Sequence, residues 1–343
     1  MGRRTVQRSD VQQDRLASPT ESNSVKILSF AILTGLIGIH SDSAVSAQFS
    51  SCVEIAVSGD VIPDGYYGQC AAPSPMLPQI QHERSPSDIA FTVDVLGSPG
   101  RDRDRVYTFA LNNFSQQEFR TNTTPLIVGM DFSPDAVELF AITSETAGVF
   151  PRSLGVILQF AGDFIPVGQI SGLPAEEKLN GLAIDPRTRA AYLSASNGSP
   201  PFANLYSLNL ATAAATLIGR MNTPPSKLGT VMVSLAINCE GKLYAHNVGD
   251  DSLYLVNTAS AATSLVGQHA LDANFGQGMD FDNSDGQLYA FMTVTSGAIN
   301  FGRFDTSNGA FTVLANSPPG QYEGAIPTAC PPPLSLFANG FES

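Results

Sequence analysis

GLAIDPRTRAAYLSAS, residues 181–196, decides the fold. It holds a small residue, an apolar strand, a turn and a second apolar strand. Asp185-Pro186 supplies the turn, because proline presets the backbone angle that the first central turn position needs. The same order returns in GMDFSPDAVELFAIT (129–143), SLAINCEGKLYAHNV (234–248) and GMDFDNSDGQLYAFMT (278–293). Their starts lie 52, 53 and 44 residues apart. A further pair of alternating strands follows each unit: LYSLNLATAAATLIG (205–219), LYLVNTASAATSLVG (253–267) and FGRFDTSNGAFTVLA (301–315), with a weaker copy in ILQFAGDFIPVG (157–168). Four short strands at a period of 40 to 50 residues are the pattern of propeller blades.

The remaining strand-like segments complete a ring. DIAFTVDV (88–95) and RVYTFALN (105–112) read as middle strands with no inner strand before them. GAIPTAC, starting at Gly324 and 46 residues after Gly278, reads as a lone first strand. Joining the two removes exposed sheet edges. The expectation is an all-β chain with a single β-propeller of five four-stranded blades over residues 88–330, closed by the C-terminal strand. Six blades follow instead if 48–70 adds strands of its own.

The repeats resemble those of secreted bacterial propellers of the NHL, YVTN and lactonase-like kind. They come closest to a group with units of the form G-L-A-F-D-P…G-x-L-Y-A-V followed by L-Y-x-V-D-x-x-T-G-A-A-T-x-V-G. The likeness covers about 88–327 and implies the fold more than any activity, since the repeated residues are strand and turn formers. The closing LFANGFES resembles the F-x-x-G-F-E tails of many exported proteins of Gram-negative bacteria, and here it follows the spacer Pro331-Pro332-Pro333.

The rest of the chain reads as export and packaging. ILSFAILTGLIGI (27–39) is too short to span a bilayer, which needs about 20 residues. With Lys26 before it and SDSAVSA after it, it reads as a signal peptide cleaved after Ala47. Residues 1–24 are polar and stand before an already complete signal, so the start is expected near Val25. Arg3-Arg4 lies too far from the apolar run for a twin-arginine signal. The segment 48–87 reads as an N-terminal strap and Pro/Ser-rich linker, and 331–343 as the spacer and tail. The expected location is the outside of the cell or its surface, with the periplasm as the alternative. Cys52, Cys70, Cys239 and Cys330 all follow the cleavage site, an even count that suggests disulfides. Cys52–Cys70 and Cys239–Cys330 is the expected pairing: the first two are close in sequence, and the others each follow an inner strand at the same end of the ring.

Composition narrows the function. The chain has 343 residues, a net charge of −13 and a pI near 4.6. Nucleic acid and anionic lipid call for Lys and Arg, so neither is an expected partner. No G-x-S-x-G, H-E-x-x-H or P-loop is present. RDRDR (101–105) alternates in sign and reads as a solvated loop. DFDNSDG, starting at Asp280, fails the EF-hand pattern at its sixth position, where Asp285 stands for glycine. His82, His246 and His269 are not spaced as a metal pair.

One constellation remains. Asp131 and Asp280 share the third position of their inner strands, where Ala183 and Ala236 stand in two other repeats. Asn180 and Gln277 lie just before inner strands. Together these could set oxygens around the channel mouth, as Ca²⁺ prefers. The resemblance to lactonase-like propellers implies a channel cation that polarises a substrate. In the opposite reading both aspartates pair with backbone amides or water. The balance favours an exported, non-catalytic, monomeric propeller that binds an extracellular ligand or protein. A metal-dependent hydrolase or lyase of the lactonase type is the alternative, with Ca²⁺ as the one cofactor these residues could take.

Overall fold

The computed structural model describes residues 89–94, 105–122, 125–159, 161–198, 201–224, 229–274, 277–317 and 321–332. Cys52, Cys70, the 27–39 run, the 71–87 linker and the 333–343 tail lie outside the described residues.

Among the described residues twenty strands form five four-stranded antiparallel sheets. Blade 1 contains β1 (Ile89–Asp94), β2 (Arg105–Ala110), β3 (Asn113–Asn122) and, as its inner strand, β20 (Tyr322–Ala325). Blade 2 is β4 (Ile127–Phe132), β5 (Leu139–Thr143), β6 (Ser153–Ile157) and β7 (Phe164–Gln169). Blade 3 is β8 (Lys178–Ile184), β9 (Ala191–Gly198), β10 (Pro201–Leu208) and β11 (Ala215–Met221). Blade 4 is β12 (Met232–Ile237), β13 (Leu243–Asn247), β14 (Ser252–Val256) and β15 (Thr263–Gln268). Blade 5 is β16 (Gly278–Asp282), β17 (Gln287–Thr293), β18 (Ile299–Phe304) and β19 (Phe311–Ser317). The inner strands β4, β8, β12, β16 and β20 are neighbours in turn, so the ring is closed. It is a five-bladed β-propeller whose first blade is shared by both ends of the domain, as the repeats predict.

The core lies between blades rather than inside one. Five apolar clusters fill five joints. Phe140, Ile142 and Leu154 of blade 2 pack on Leu182, Leu193 and Tyr206 of blade 3, and the other four joints repeat the plan. Alternation along each strand makes this necessary: both faces of a blade meet a neighbour, so both faces carry apolar residues. The joint that closes the ring, between blades 5 and 1, is the most aromatic. Phe109, Phe114, Phe291 and Phe301 meet there with ring centroids 4.9–5.7 Å apart.

Inner strands approach closely because their first core position lacks a large side chain. A Cβ on Gly129 would come within 2.8 Å of the Leu182 nitrogen, and one on Gly181 within 3.1 Å of the Leu235 nitrogen. In blade 1 the sequence alignment places Gly324 at this position, but the structure places Glu323 there. A Cβ on Gly278 would meet the Glu323 backbone at 2.8 Å, as Gly129 meets Gly181. The alignment set glycine on glycine, and β20 carries its glycine one residue later in the strand than β16 does. β4, β8 and β12 each skip one residue just before this position (Val128, Asn180 and Val233), whereas β16 and β20 pair without a bulge.

The outermost strands carry bulges too. Val167, Ile218, Val266 and Leu314 are skipped at the same place in four blades, and blade 1 skips Arg120. Bulges there twist each exposed edge and make it a poor template for another strand.

The two ends of the ring differ. One end carries the turns between first and second strands and between third and fourth strands. The latter are uniform: 158–163, 209–214, 257–262 and 305–310. In the last three, Asn209, Asn257 or Asp305 caps its own turn by accepting from backbone amides two or three residues on, at 2.9–3.1 Å. The other end carries the connections 144–152, 170–177, 222–231 and 269–277, which differ in length and sequence.

Candidate functional site

Asp131 and Asp280 stand at equivalent points of β4 and β16 and do the same work. Each carboxylate accepts the next amide of its own strand, Phe132 at 2.6 Å and Phe281 at 2.7 Å. Each also reaches across to the neighbouring inner strand. Asp131 accepts from Ile184 and Asp280 from Ile326, both at 2.6 Å. The aspartates are therefore clamps between blades 2 and 3 and between blades 5 and 1. Where Ala183 and Ala236 stand, Ser194 and Ser234 side chains bridge blades instead, donating to the Met232 and Gln277 carbonyls at 2.9 Å.

Both carboxyls are buried, and burial dominates their titration. Asp131 is pushed up to about 7 against the pull of its two amides. Asp280 is held well above the usual carboxylate range by burial and then by the charge of Asp131. The two thus feel each other across the channel, with only blade 1 between them on the shorter arc. The other two residues of the expected set are engaged elsewhere. Asn180 donates to the Ser196 hydroxyl at 2.8 Å. Gln277 donates to the Thr293 carbonyl at 3.3 Å and to the Asn274 carbonyl, which ties its amide to blade 5 and to the connection before it. Among the described residues no group of three or more His, Cys, Asp or Glu side chains is gathered as a metal site.

A third inner-ring acid went unnoticed in the sequence. Glu323 is buried in β20, and burial alone lifts its carboxyl well above the ordinary range. The one-residue offset of β20 hid it, because the repeat alignment set glycine at the ring position.

The turn end of the ring is covered by the chain itself. After β20 the segment 326–331 crosses blade 5, where the Thr328 hydroxyl and carbonyl accept from the Asn283 backbone amide and side chain at 2.6 and 3.3 Å. It then reaches blade 4, where Cys330 is disulfide-bonded to Cys239 with Cα atoms 5.6 Å apart. Arg187 of blade 3 closes the seam, donating to the Cys239 carbonyl at 2.7 Å and the Pro331 carbonyl at 3.2 Å. The expected pairing of these cysteines is present, and the intervening blade is no obstacle because the strap runs over it.

Among the described residues the opposite end is irregular. Connection 144–152 is its most built feature. Phe150 and Arg152 hold left-handed backbone angles, φ 52° and 51°, which cost an L-residue on the order of 1–2 kcal/mol. The Arg152 guanidinium is bound by the carbonyls of Pro174, Ala175 and Glu177 at 2.8–3.1 Å, and the Thr143 hydroxyl donates to the Phe150 carbonyl. The pinned loop presents Val149 and Phe150 to solvent, 46% and 37% exposed.

The architecture is that of a five-bladed β-propeller. The chain matches no family model and no curated protein. Solved structures similar to it include a nidogen/laminin complex (9% identity, TM-score 0.45, 71% of this chain and 100% of that one). TolB from Acinetobacter baumannii is another (15%, 0.40, 67% and 53%). So is regucalcin, a calcium-binding protein from Agrobacterium tumefaciens (12%, 0.40, 68% and 71%). Likenesses of this grade say nothing of what the chain binds. Among the described residues no helix is long and apolar enough to cross a membrane.

Proposed function

We propose that this chain is an exported, non-catalytic propeller that binds a macromolecular partner through the end of the ring carrying 144–152. The observation that supports this most is the pinned apolar pair Val149 and Phe150 on a loop held in left-handed geometry. Backbone strain persists where surrounding structure over-determines it, and such places cluster at recognition sites. Rigid apolar groups on a loop also cost little entropy to bury, which suits an interface anchor. The opposite end also carries left-handed turn residues and the exposed Val137, but its turns are short and repeated and the strap runs across it. The acids of the channel already serve as clamps between blades, which speaks for scaffolding over catalysis. Export is supported by the 27–39 run and by the disulfide, a bond that persists in oxidising compartments.

The test is a paired comparison in cross-linking or capture from the native extracytoplasmic fraction. Val149→Asp with Phe150→Ser is expected to abolish capture of a specific band. Val137→Asp, on the strap end at a residue 65% exposed, is expected to leave it intact. Capture that survives the first change and is lost with the second would overturn the assignment.

A further inference from the structure

His246 and His269 form a buried pair at the joint of blades 4 and 5. His246 lies in β13 and is 1% exposed; His269 opens the connection from β15 to β16 and is 6% exposed. Their Nε2 atoms are 2.8 Å apart. The Leu271 amide donates to His269 Nδ1 at 3.3 Å, which leaves the His269 proton on Nε2. That proton points at His246 Nε2, which must then be the acceptor, so His246 carries its proton on Nδ1. His246 Nδ1 and Gln277 Oε1 are both buried without a hydrogen-bond partner, and Gln277 is the polar side chain that acts on His246. The result is a directed chain from the Leu271 amide through both rings, with Gln277, itself donating to the Thr293 carbonyl, as the neighbour at its far end.

Such a chain has no room for another proton. Every ring nitrogen that lacks a hydrogen faces a donor, so protonating either ring sets two donors against each other. Among the described residues no counter-ion waits nearby either. Phe304 lies against both rings, with centroids 5.8 and 5.7 Å away, and Phe311 lies 6.4 Å from His269. β12 contributes Ser234, whose hydroxyl is turned to the Gln277 carbonyl. The neighbouring acids face away. Asp250 is bound by Tyr254 and Asn247, Asp251 by the Ala273 amide, and Asp272 by the Thr295 hydroxyl. Among the described residues the charge that acts on His246 is that of His269. The repeats vary at this place, which holds Ser194 and Met221 in blade 3. In blade 2 the equivalent positions are Ile142 and Ile170, both in one apolar cluster. The chain has put a titratable pair where a greasy one suffices.

We propose that the His246–His269 pair is an acid-sensitive latch, holding the connection after β15 against blade 4 when both rings are neutral and releasing it when either takes a proton. The connection lies at the irregular end of the ring, so release alters that end and leaves the strapped end intact. The direction of the titration agrees. Burial lowers His269 to about 4 and His246 well below its ordinary 6.5. Opening therefore draws in protons from pH 6.5 downward. A ring that titrates at about 6.5 when open and about 4 when latched raises the opening constant about thirtyfold between pH 8 and pH 5.

The test uses the full chain. Imidazole ¹⁵N shifts at pH 7.5 are expected to show the Nδ1–H form of His246 and the Nε2–H form of His269. Amide exchange at Leu271 and Ala273, corrected for intrinsic rates, is expected to report about thirtyfold easier opening at pH 5. In His246→Ile with His269→Ile, which borrows the pair of blade 2, that increase is expected to vanish while the fold persists. The latch is refuted if either ring titrates near 6.5 without opening, or if the increase is the same in the variant. If the variant fails to fold, the shift and exchange measurements on the unaltered chain decide alone.

Discussion

Removing the disulfide with Cys239→Ser and Cys330→Ser tests how the ring is held shut. The two residues are 91 apart in sequence. Loop-closure entropy for a crosslink of that span is about 4.6 kcal/mol at 25 °C, a large share of the 5–15 kcal/mol that stabilises a typical domain. The loss falls unevenly. β20 has only four residues, and apart from its pairing with β1 it is held by the Asp280–Ile326 clamp, the Asn283–Thr328 contacts and the crosslink beyond them. Without the crosslink, β20 is expected to leave the ring before the other inner strands. Urea unfolding should show a loss of about 4 kcal/mol, and amides of Tyr322–Ala325 should exchange up to about a thousandfold faster, since each 1.4 kcal/mol is a factor of ten. Amides of β12 should change far less. A loss under about 1 kcal/mol, with β20 exchanging no faster than β12, would refute the reasoning.

Three further expectations follow. Gly267→Ala places a Cβ inside the Asn308 carbonyl oxygen of the next blade, so chemical denaturation should show a loss of about 1–3 kcal/mol. Ala213→Gly and Ala261→Gly relieve left-handed backbones at φ 55° and 58° but delete fully buried methyls worth about 0.8 kcal/mol each; the opposing terms should leave stability within about 0.5 kcal/mol, and a loss above 2 would show that the methyl governs. Asp131 is raised to about 7, so the folded chain keeps a proton that the unfolded chain has shed; its contribution is full below the unfolded value near 3.8 and is lost as pH rises towards 7. Asp131→Asn should accordingly gain on the unaltered protein between pH 4 and pH 7 in urea midpoints, and a difference independent of pH would count against the buried carboxyl.

Blade number and closure were legible because each unit repeats the same small residue, strand, turn and strand, and turn residues such as Asp185-Pro186 act locally. The Cys239–Cys330 partnership was legible too, although the route of the strap across blade 5 was not. What failed was aligning glycine on glycine: β20 carries its glycine one residue later than β16, so Glu323, one residue before the aligned Gly324, took the ring position unseen. Asp131 and Asp280 were singled out correctly as inner-strand acids, but their amide partners Ile184 and Ile326 belong to neighbouring strands that only the closed ring brings near. The histidine pair left a fainter trace. His246 and His269 are 23 residues apart, and nothing in that spacing shows two ring nitrogens meeting. Setting the blades side by side, with Ile142 and Ile170 at the same places, would have raised the question.

The shared first blade also sets a timetable. β1 pairs with β20, so that Thr92 donates to the carbonyl of Glu323, 231 residues later. At about 5–20 residues per second, a ribosome needs roughly 12–46 s to supply that partner. Throughout that interval blade 1 lacks its inner strand, and for most of it Phe109 and Phe114 lack the blade 5 aromatics they pack on. Long-range pairing of this kind is slow because loop entropy must be met before the contact rewards it. A nascent chain so arranged is kept from premature closure by its own topology.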